Sequence, residues 1–426
     1  MNDNSKFRIA FFDTKPYDKA FFEEENRKYG FDITYFEAKL RPRTASVTAG
    51  FDAVCAFVND ELDGDVMEQL HKNGVRIVAM RCAGYNNVNL KAACQYGIPV
   101  VRVPQYSPYA VAEYALALLM TLNRKIHRAY NRVREGNFSI GGLMGFDLRG
   151  KTIGVIGTGK IGRTFIGLLR GFGMRVLASD PFPDEQAARE LAFEYVPLET
   201  LFRESDIVSL HCPLTPENVH MVNAQTLAMM KPGVVLINTS RGHLIDSAAL
   251  VDAHKSGKIG AAGLDVYEEE TDYFFEDRSD RAVLDDILAR LMTFPNVIVS
   301  SHQAFFTREA EHNIAETTMR SLDAFANGRK LEDAICLNCG GMKHCPGKKD
   351  SERCTPAPEL KTITSPGTGA PAPLPSPRGS VSRQKRCRPQ RLDYRGCERL
   401  FVSPRTNRSA GANDGQAGIT SSRRSS

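Results

Sequence analysis

Residues 154–162, GVIGTGKIG, carry the strongest fold signal in this chain, because they place a GxGxxG motif between an apolar strand and a helix. Gly157 permits a tight turn, Gly159 lets the backbone approach a pyrophosphate, and Gly162 lets the helix pack close to the strand. The N-terminal N–H groups of that helix then face the phosphates. This order of elements predicts a dinucleotide-binding domain of the Rossmann type.

Asp180 follows Gly162 by 18 residues and stands where the next strand is expected to end. A carboxylate there can accept hydrogen bonds from the adenosine ribose hydroxyls and would repel a 2′-phosphate, which favours NAD over NADP. The alternative is a glycine-rich turn without a ligand beside a surface Asp. The strand, the helix and the acid stand at the expected spacing, so the cofactor site is the better interpretation.

Short apolar strands alternate with helical stretches along most of the chain, a rhythm typical of parallel sheets covered by helices. The first group of strand candidates comprises residues 8–12, 53–58, 76–80 and 100–103. The second group comprises residues 152–156, 175–178, 207–210, 234–238, 262–266 and 297–300. A long helix is expected to begin at Ser107-Pro108, and a last helix near 308–326 must pack onto a domain already built. We therefore predict an α/β protein with two doubly wound parallel-sheet domains.

The composition changes at about residue 336, where Pro, Gly, Ser and Arg become frequent and apolar periodicity ends. Residues 336–426 contain 17 Lys/Arg and 6 Asp/Glu, whereas residues 1–335 contain 38 and 44. The positive net charge therefore belongs to the tail and does not indicate nucleic-acid binding by the folded part. We predict that residues 336–426 form a disordered tail.

The cysteines divide in the same way. Those before residue 336 are Cys55, Cys82, Cys94 and Cys212, which we interpret as buried thiols of a reducing compartment. In the tail, Cys336, Cys339, Cys345 and Cys354 with His344 suggest zinc. Their irregular spacing favours an unstructured extension or an altered reading frame, so we predict no metal.

The N-terminus has no pattern typical of a secretion signal, and no apolar run approaches the roughly 20 residues that span a bilayer. We therefore expect a cytoplasmic protein without a membrane segment.

Polar side chains follow three strands of the second group. Arg241 follows the strand at 234–238, three glutamates at 268–270 follow the next, and His302 follows the last. In an open α/β sheet the carboxyl ends of the strands border the ligand crevice. Arg can bind a carboxylate bidentately, His can exchange a hydroxyl proton near neutral pH, and Glu favours the imidazolium form. Taken singly they could be a surface ion-pair residue, a solvated acidic face and a structural histidine, but together they predict hydride transfer on a 2-hydroxy acid.

These residues resemble a known family, the D-isomer-specific 2-hydroxyacid dehydrogenases. The resemblance covers about residues 7–335 and is carried by the motifs at 155–162, 211–215, 238–242 and 263–267. Within the family, the segments at 81–88, 274–277 and 302–305 are similar to the fermentative D-lactate dehydrogenase subgroup.

The resemblance implies a discontinuous layout and a set of roles. Residues 1–103 and 301–335 would form a flavodoxin-like substrate-binding domain, and residues 104–300 the Rossmann NAD domain. The implied catalytic residues are Arg241, Glu270 and His302, where chemistry alone leaves the choice among the three glutamates open. The implied substrate contacts are Ala83, Gly84, Tyr106, Arg241 and Phe305. Besides the motif glycines Gly157, Gly159 and Gly162, the implied cofactor contacts are Lys160, Ile161, Asp180, Cys212, Pro213, Asn218, Thr239 and Asp265.

The activity that the resemblance implies is reduction of pyruvate by NADH to D-lactate, by a homodimer built on the helix after Ser107. Two alternatives stay open. One is a related dehydrogenase that acts on glyoxylate, hydroxypyruvate or branched 2-keto acids. The other is a dinucleotide-sensing, corepressor-like scaffold without turnover.

Overall fold

Two sheets, each made only of parallel strands, organise the part of the chain that the structure describes, residues 6–335 of a computed structural model. The predicted α/β class with two parallel sheets is therefore confirmed. The predictions of a disordered tail and of no zinc at its cysteines concern residues 336–426, which lie outside the described residues.

The first sheet has five strands in the order β2-β1-β3-β4-β5. They are β1 (Arg8–Phe11), β2 (Asp32–Tyr35), β3 (Ala53–Ala56), β4 (Ile77–Met80) and β5 (Val100–Arg102). This strand order is the flavodoxin-like one. All four residues of β3 and of β4 are buried, as expected for central strands covered on both faces.

The second sheet has seven strands in the order β12-β11-β10-β9-β6-β7-β8. They are β6 (Thr152–Ile156), β7 (Arg175–Ser179), β8 (Glu194–Tyr195), β9 (Ile207–Leu210), β10 (Val234–Asn238), β11 (Ile259–Leu264) and β12 (Val297–Val299). Because the order reverses between β6 and β9, a crevice opens there beyond the carboxyl ends of the strands. The sheet therefore has the Rossmann arrangement that the glycine motif predicts.

The helices connect these strands. They are α1 (Pro16–Asn26), α2 (Gly64–Lys72), α3 (Leu90–Gln95), α4 (Pro108–Arg124), α5 (Ile126–Arg134), α6 (Lys160–Leu169), α7 (Glu185–Leu191), α8 (Leu198–Glu204), α9 (Ala224–Met229), α10 (Ser247–Lys255), α11 (Asp286–Thr293) and α12 (Arg308–Ala326).

Two helices link the sheets in sequence, and each begins at a side-chain cap. Ser107 Oγ accepts a hydrogen bond from Ala110 N (3.2 Å) at the start of α4, which packs against α6 and β11. Thr307 Oγ1 caps α12, which returns to the first sheet and packs against α1 and β4. The predicted last helix therefore belongs to the core of the first sheet.

Some local predictions were wrong. The strands β2 and β8 were missed because each is a short, partly exposed edge strand that carries little apolar signal. The strand predicted at 262–266 begins earlier and ends at Leu264. Among the four described cysteines, Cys94 is exposed, whereas the other three are buried.

No helix between residues 6 and 335 has both the length and the apolar character needed to cross a membrane.

Candidate active site

The three polar segments predicted from the sequence do follow neighbouring strands. β10, β11 and β12 lie side by side in the second sheet, and Arg241, Glu270 and His302 stand on the loops beyond their carboxyl ends. Adjacent parallel strands end at the same edge, so these loops border one crevice.

His302 and Glu270 form a close hydrogen-bonded pair. The distance from His302 Nδ1 to Glu270 Oε1 is 2.7 Å, and both side chains are largely withdrawn from solvent. The backbone of His302 has φ 50, an unusual left-handed conformation for a residue other than glycine. Its N–H donates to the Asp265 carbonyl oxygen at 2.7 Å, which holds this conformation. The ring is thus fixed with Nδ1 on the carboxylate and Nε2 left for other contacts.

The structure separates the three consecutive glutamates by position. Glu270 contacts His302, Glu268 Oε1 lies 2.5 Å from His220 Nε2, and Glu269 is exposed. Of these three glutamates, only Glu270 contacts His302. Three identical side chains in a row could not be told apart from the sequence alone.

The surroundings of Glu270 favour its charged form. Burial would raise the pKa of this carboxyl, but the His302 charge and hydrogen bond, the Tyr267 N–H and the Arg241 charge outweigh burial and hold the pKa below its ordinary value. The Tyr267 N–H donates to Glu270 Oε2 at 3.1 Å. Glu270 is therefore a carboxylate that serves as a fixed negative charge beside His302.

Arg241 reaches across to the first sheet. A Cβ built on Gly84 would lie 2.2 Å from Arg241 Nη2, so the guanidinium lies directly against the Gly84 backbone. Ala83 and Gly84 stand on the loop after β4, where the Ala83 carbonyl oxygen accepts from Arg102 Nη1 at 2.8 Å. The predicted carboxylate-binding backbone and the predicted arginine are thus brought together.

Aromatic side chains lie beside these polar groups. The ring centroid of Phe305 lies 6.1 Å from that of Tyr106 and 6.3 Å from that of Phe57. Phe275 packs on Phe57 (5.2 Å) and on the His302 ring (5.9 Å). Burial raises the pKa of Tyr106 to about 12, so this phenol stays neutral.

Two members of this aromatic group were not predicted as site residues. Phe275 was noticed only within a motif, and Phe57 was not singled out. Phe57 directly follows β3, so its place just past a strand end was the signal that could have identified it.

Asp265 supports the His302 loop. Its Oδ1 accepts from Ser300 Oγ (2.7 Å) and Gln303 N (2.9 Å), and its Oδ2 accepts from Ala304 N (2.8 Å). The side chain is fully buried, and burial raises its pKa. In the described structure the carboxylate that the resemblance implies as a cofactor contact fixes the loop that carries the histidine.

The glycine loop is built for close backbone approach. Gly157 has φ 94, and a Cβ there would lie 2.7 Å from the His211 carbonyl oxygen. A Cβ on Gly162 would lie 2.0 Å from the Gly157 carbonyl oxygen, so α6 packs directly on the turn. A Cβ on Gly159 would have no neighbour within 4 Å. The loop is therefore closely packed at Gly157 and Gly162 and open at Gly159, as a phosphate-binding turn requires.

The side chains predicted around this loop border the same crevice. Asp180 Oδ2 accepts from Thr158 N at 2.6 Å, which ties the end of β7 to the glycine loop. Lys160 and Ile161 open α6, and Lys160 Nζ donates to Gln105 Oε1.

The remaining predicted cofactor contacts follow β9 and β10. Asn218 Nδ2 donates to the Pro213 carbonyl oxygen at 2.8 Å, and Cys212 is buried beside them. Thr239 is buried, and its Oγ1 has no hydrogen-bond partner within residues 6–335. An orphaned buried hydroxyl is costly unless a ligand satisfies it. Together with the open glycine cradle, it fits a bound dinucleotide.

Comparison with known proteins agrees with this site. Residues 116–304 match the family model described as D-isomer specific 2-hydroxyacid dehydrogenase, NAD binding domain. D-lactate dehydrogenase of Escherichia coli K12 is 52% identical over 328 residues, which cover 77% of this chain and 99% of the relative.

Two solved structures extend the comparison. An apo structure of D-lactate dehydrogenase from Escherichia coli has a TM-score of 0.70 at 48% identity and covers 77% of this chain and 99% of that one. A D-lactate dehydrogenase with NAD⁺ from Lactobacillus jensenii has a TM-score of 0.65 at 32% identity, with the same two coverages.

Proposed function

The chain belongs to the D-isomer-specific 2-hydroxyacid dehydrogenase family and is an NAD-dependent oxidoreductase, and we propose that it interconverts pyruvate and D-lactate. The observation that carries the proposal is the His302–Glu270 pair at 2.7 Å, beside an Arg241 that lies against Gly84. We assign residues 1–103 and 301–335 to substrate binding and residues 104–300 to NAD binding.

The catalytic roles follow from these contacts. The glycine loop around Gly157 and Gly159 would hold a nicotinamide cofactor, which would supply the hydride for C2 of the keto acid. Since Nδ1 of His302 is held by Glu270, Nε2 is the atom that donates a proton to the forming alkoxide. Arg241 binds the substrate carboxylate and stabilises the negative charge that develops on the C2 oxygen. In the reverse direction, neutral His302 accepts the hydroxyl proton.

The aromatic group supports a small substrate. Phe305 and Phe57 are 8% and 6% exposed, so their rings are packed and leave little room for a long side chain. A methyl group, as in pyruvate, is the smallest apolar substituent that these two rings can contact. The packed aromatic rings therefore favour pyruvate over branched 2-keto acids.

The primary experiment measures NADH oxidation by the purified full chain with pyruvate, glyoxylate, hydroxypyruvate and 2-ketoisocaproate, and determines the chirality of each product. We expect the highest kcat/KM with pyruvate and a D-lactate product. A preference for glyoxylate, hydroxypyruvate or 2-ketoisocaproate over pyruvate would refute the substrate assignment but keep the family. Binding of NADH without turnover of any of them would support a dinucleotide-sensing scaffold instead.

Two variants separate the roles of the site. His302→Gln removes the proton donor and is expected to lower kcat by about 10²–10⁴-fold with an unchanged NADH affinity. Phe305→Ala removes one of the two rings and is expected to shift kcat/KM toward 2-ketoisocaproate while catalysis persists. Wild-type turnover in folded His302→Gln would overturn the proposed mechanism.

We also propose that the enzyme is a homodimer built on α4, the helix after Ser107, together with the largely exposed residues 126–144 that follow it. None of the residues of α5 is buried, and Phe138, Ile140 and Met144 are 75%, 84% and 87% exposed. Large exposed apolar groups in one segment are typical of protein interfaces. Light scattering is expected to give twice the chain mass for the wild type and the single mass for an Ile140→Glu/Met144→Glu variant. A monomeric wild type would refute this assignment.

Finally, we propose that the enzyme acts in the cytoplasm, in fermentative reduction of pyruvate. The four described cysteines are free thiols, which agrees with a reducing compartment. Cell fractionation and D-lactate release under oxygen limitation test this, and activity confined to an oxidising compartment would contradict it.

A further inference from the structure

His220, His243 and Glu268 form a cluster outside the proposed catalytic set. Their ligand-type atoms all lie within 4.8 Å of one another. Glu268 Oε1 lies 2.5 Å from His220 Nε2 and 3.6 Å from His243 Nδ1. Two imidazole nitrogens therefore approach one carboxylate oxygen from different loops.

Backbone contacts hold the two histidines in place. The His220 N–H donates to the His243 carbonyl oxygen at 2.8 Å, and Val222 and Ile245 form a parallel bridge two residues further along each loop. His220 has φ 53, a strained conformation that persists only when the surroundings fix it. The backbones of His220 and His243 are therefore held beside each other.

Glu268 is fixed by a separate set of contacts. Its Oε2 accepts from Ser247 N at 2.8 Å, at the start of α10, which leaves Oε1 to face the histidines. A Cβ on Gly242 would lie 2.1 Å from the Tyr267 carbonyl oxygen, so the loop that carries His243 packs directly on the loop that carries Glu268. The three donors are thus preorganised before any ligand arrives.

We propose that His220 Nε2, His243 Nδ1 and Glu268 Oε1 bind a borderline divalent transition metal such as Zn²⁺ or Co²⁺. Two imidazoles and one carboxylate are a donor set that zinc uses in proteins, with water in the remaining position. The His220 and His243 side chains are 42% and 49% exposed, which gives the ion an entry path and room for water. A plain ion pair accounts for His220 and Glu268 but not for the third donor aimed at the same oxygen.

The proposed metal site lies on the two loops that also carry Arg241 and Glu270. His243 stands two residues after Arg241, and Glu268 stands two residues before Glu270. A bound ion would link the two loops that carry these groups and oppose their separation. A ligand that binds only the folded state stabilises it by mass action. We therefore expect added metal to raise the midpoint of thermal unfolding.

The test is a Co²⁺ titration of the full chain followed by visible absorption and by equilibrium dialysis. Cobalt held by nitrogen and oxygen gives d–d bands alone, whereas thiolate ligands add a sulfur-to-cobalt charge-transfer band. This difference distinguishes the proposed site from the tail cysteines. We expect one equivalent with nitrogen and oxygen ligands in the wild type, together with a rise in the thermal midpoint.

Variants decide the outcome. His243→Ala and Glu268→Gln are expected to lose that equivalent and the thermal shift, whereas His312→Ala, an exposed histidine on α12, retains both. His220→Asn is expected to lose the equivalent as well. Asn is chosen there because it tolerates a positive φ better than most residues. Equal binding in wild type, His243→Ala and Glu268→Gln, or a wild type with thiolate bands only, would overturn the proposal. Since these readouts do not involve turnover, they are independent of the pyruvate assignment.

Discussion

Glu311 is a buried acid whose substitution should stabilise the protein in a pH-dependent way. It lies on α12, is 2% exposed, and its Oε1 has no hydrogen-bond partner among the described residues. Burial, and then the charge of Asp18, raise the pKa of this carboxyl to about 8, against a smaller opposing effect of Arg81. Tyr17, on the same helix as Asp18, also faces it, and the pKa of that phenol is raised well above its ordinary range, chiefly by burial.

The sign and size of the effect follow from proton linkage. Well below pH 4.5, the ordinary pKa of a glutamic acid side chain, both the folded and the unfolded chain hold the proton, and the ionisation of Glu311 does not change the free energy of unfolding. Between pH 4.5 and about 8 the unfolded chain releases the proton while the folded chain keeps it, so wild-type stability falls as the pH rises. Each pH unit is worth about 1.4 kcal/mol, which amounts to about 3 kcal/mol at pH 7. The neutral variant Glu311→Gln avoids this cost.

Urea unfolding of wild type and Glu311→Gln at a series of pH values measures the difference in the free energy of unfolding. We expect it to be near zero at pH 4.5 and to reach about 3 kcal/mol in favour of the variant at pH 7. Glu309→Gln, an exposed control on the same helix turn, should change stability by less than about 1 kcal/mol. A difference for Glu311→Gln that does not vary with pH would contradict a raised pKa of Glu311 in the folded protein.

The remaining predictions concern four substitutions in the cofactor crevice. Asp180→Ala should raise the KM for NADH about tenfold, as the loss of a charged hydrogen bond implies. The same variant should reduce the ratio of kcat/KM for NADH to kcat/KM for NADPH. An unchanged ratio would contradict the proposal that this carboxylate selects NADH. Gly162→Ala should lower the free energy of unfolding by about 1–3 kcal/mol because its Cβ would meet the Gly157 carbonyl oxygen. Gly159→Ala should instead cost less than about 1 kcal/mol yet weaken NADH binding, and equal urea midpoints for the two variants would show that the loop is not packed as described. Thr239→Val should stabilise the cofactor-free protein and lower its NADH affinity in fluorescence titration; an unchanged affinity would mean that the orphaned hydroxyl does not contact the cofactor.

The sequence was most informative where local chemistry and periodicity agree. The GxGxxG loop and the buried central strands have strong local signals, so the two parallel sheets could be predicted. The edge strand β8 has two residues and no such signal. Equally, nothing local distinguishes Glu270 from Glu268, because the difference lies in which histidine each one meets after folding. The placement of Phe57 beside Phe275 depends on contact between the two sheets' regions and is likewise invisible to a local pattern.

The first sheet is assembled from both ends of the described chain, which has a consequence for the order of folding. Ile314, Met319 and Leu322 of α12 are buried in its core, and Ile335 N donates to the Val100 carbonyl oxygen at 2.8 Å. During synthesis these partners emerge after every strand of the second sheet. The second sheet has all its strands between residues 152 and 299 and can form once that part of the chain is made. The apolar surface of the first sheet that α12 covers stays exposed until α12 has been synthesised. The N-terminal segment, although it is synthesised first, is therefore expected to need chaperones for the longest time.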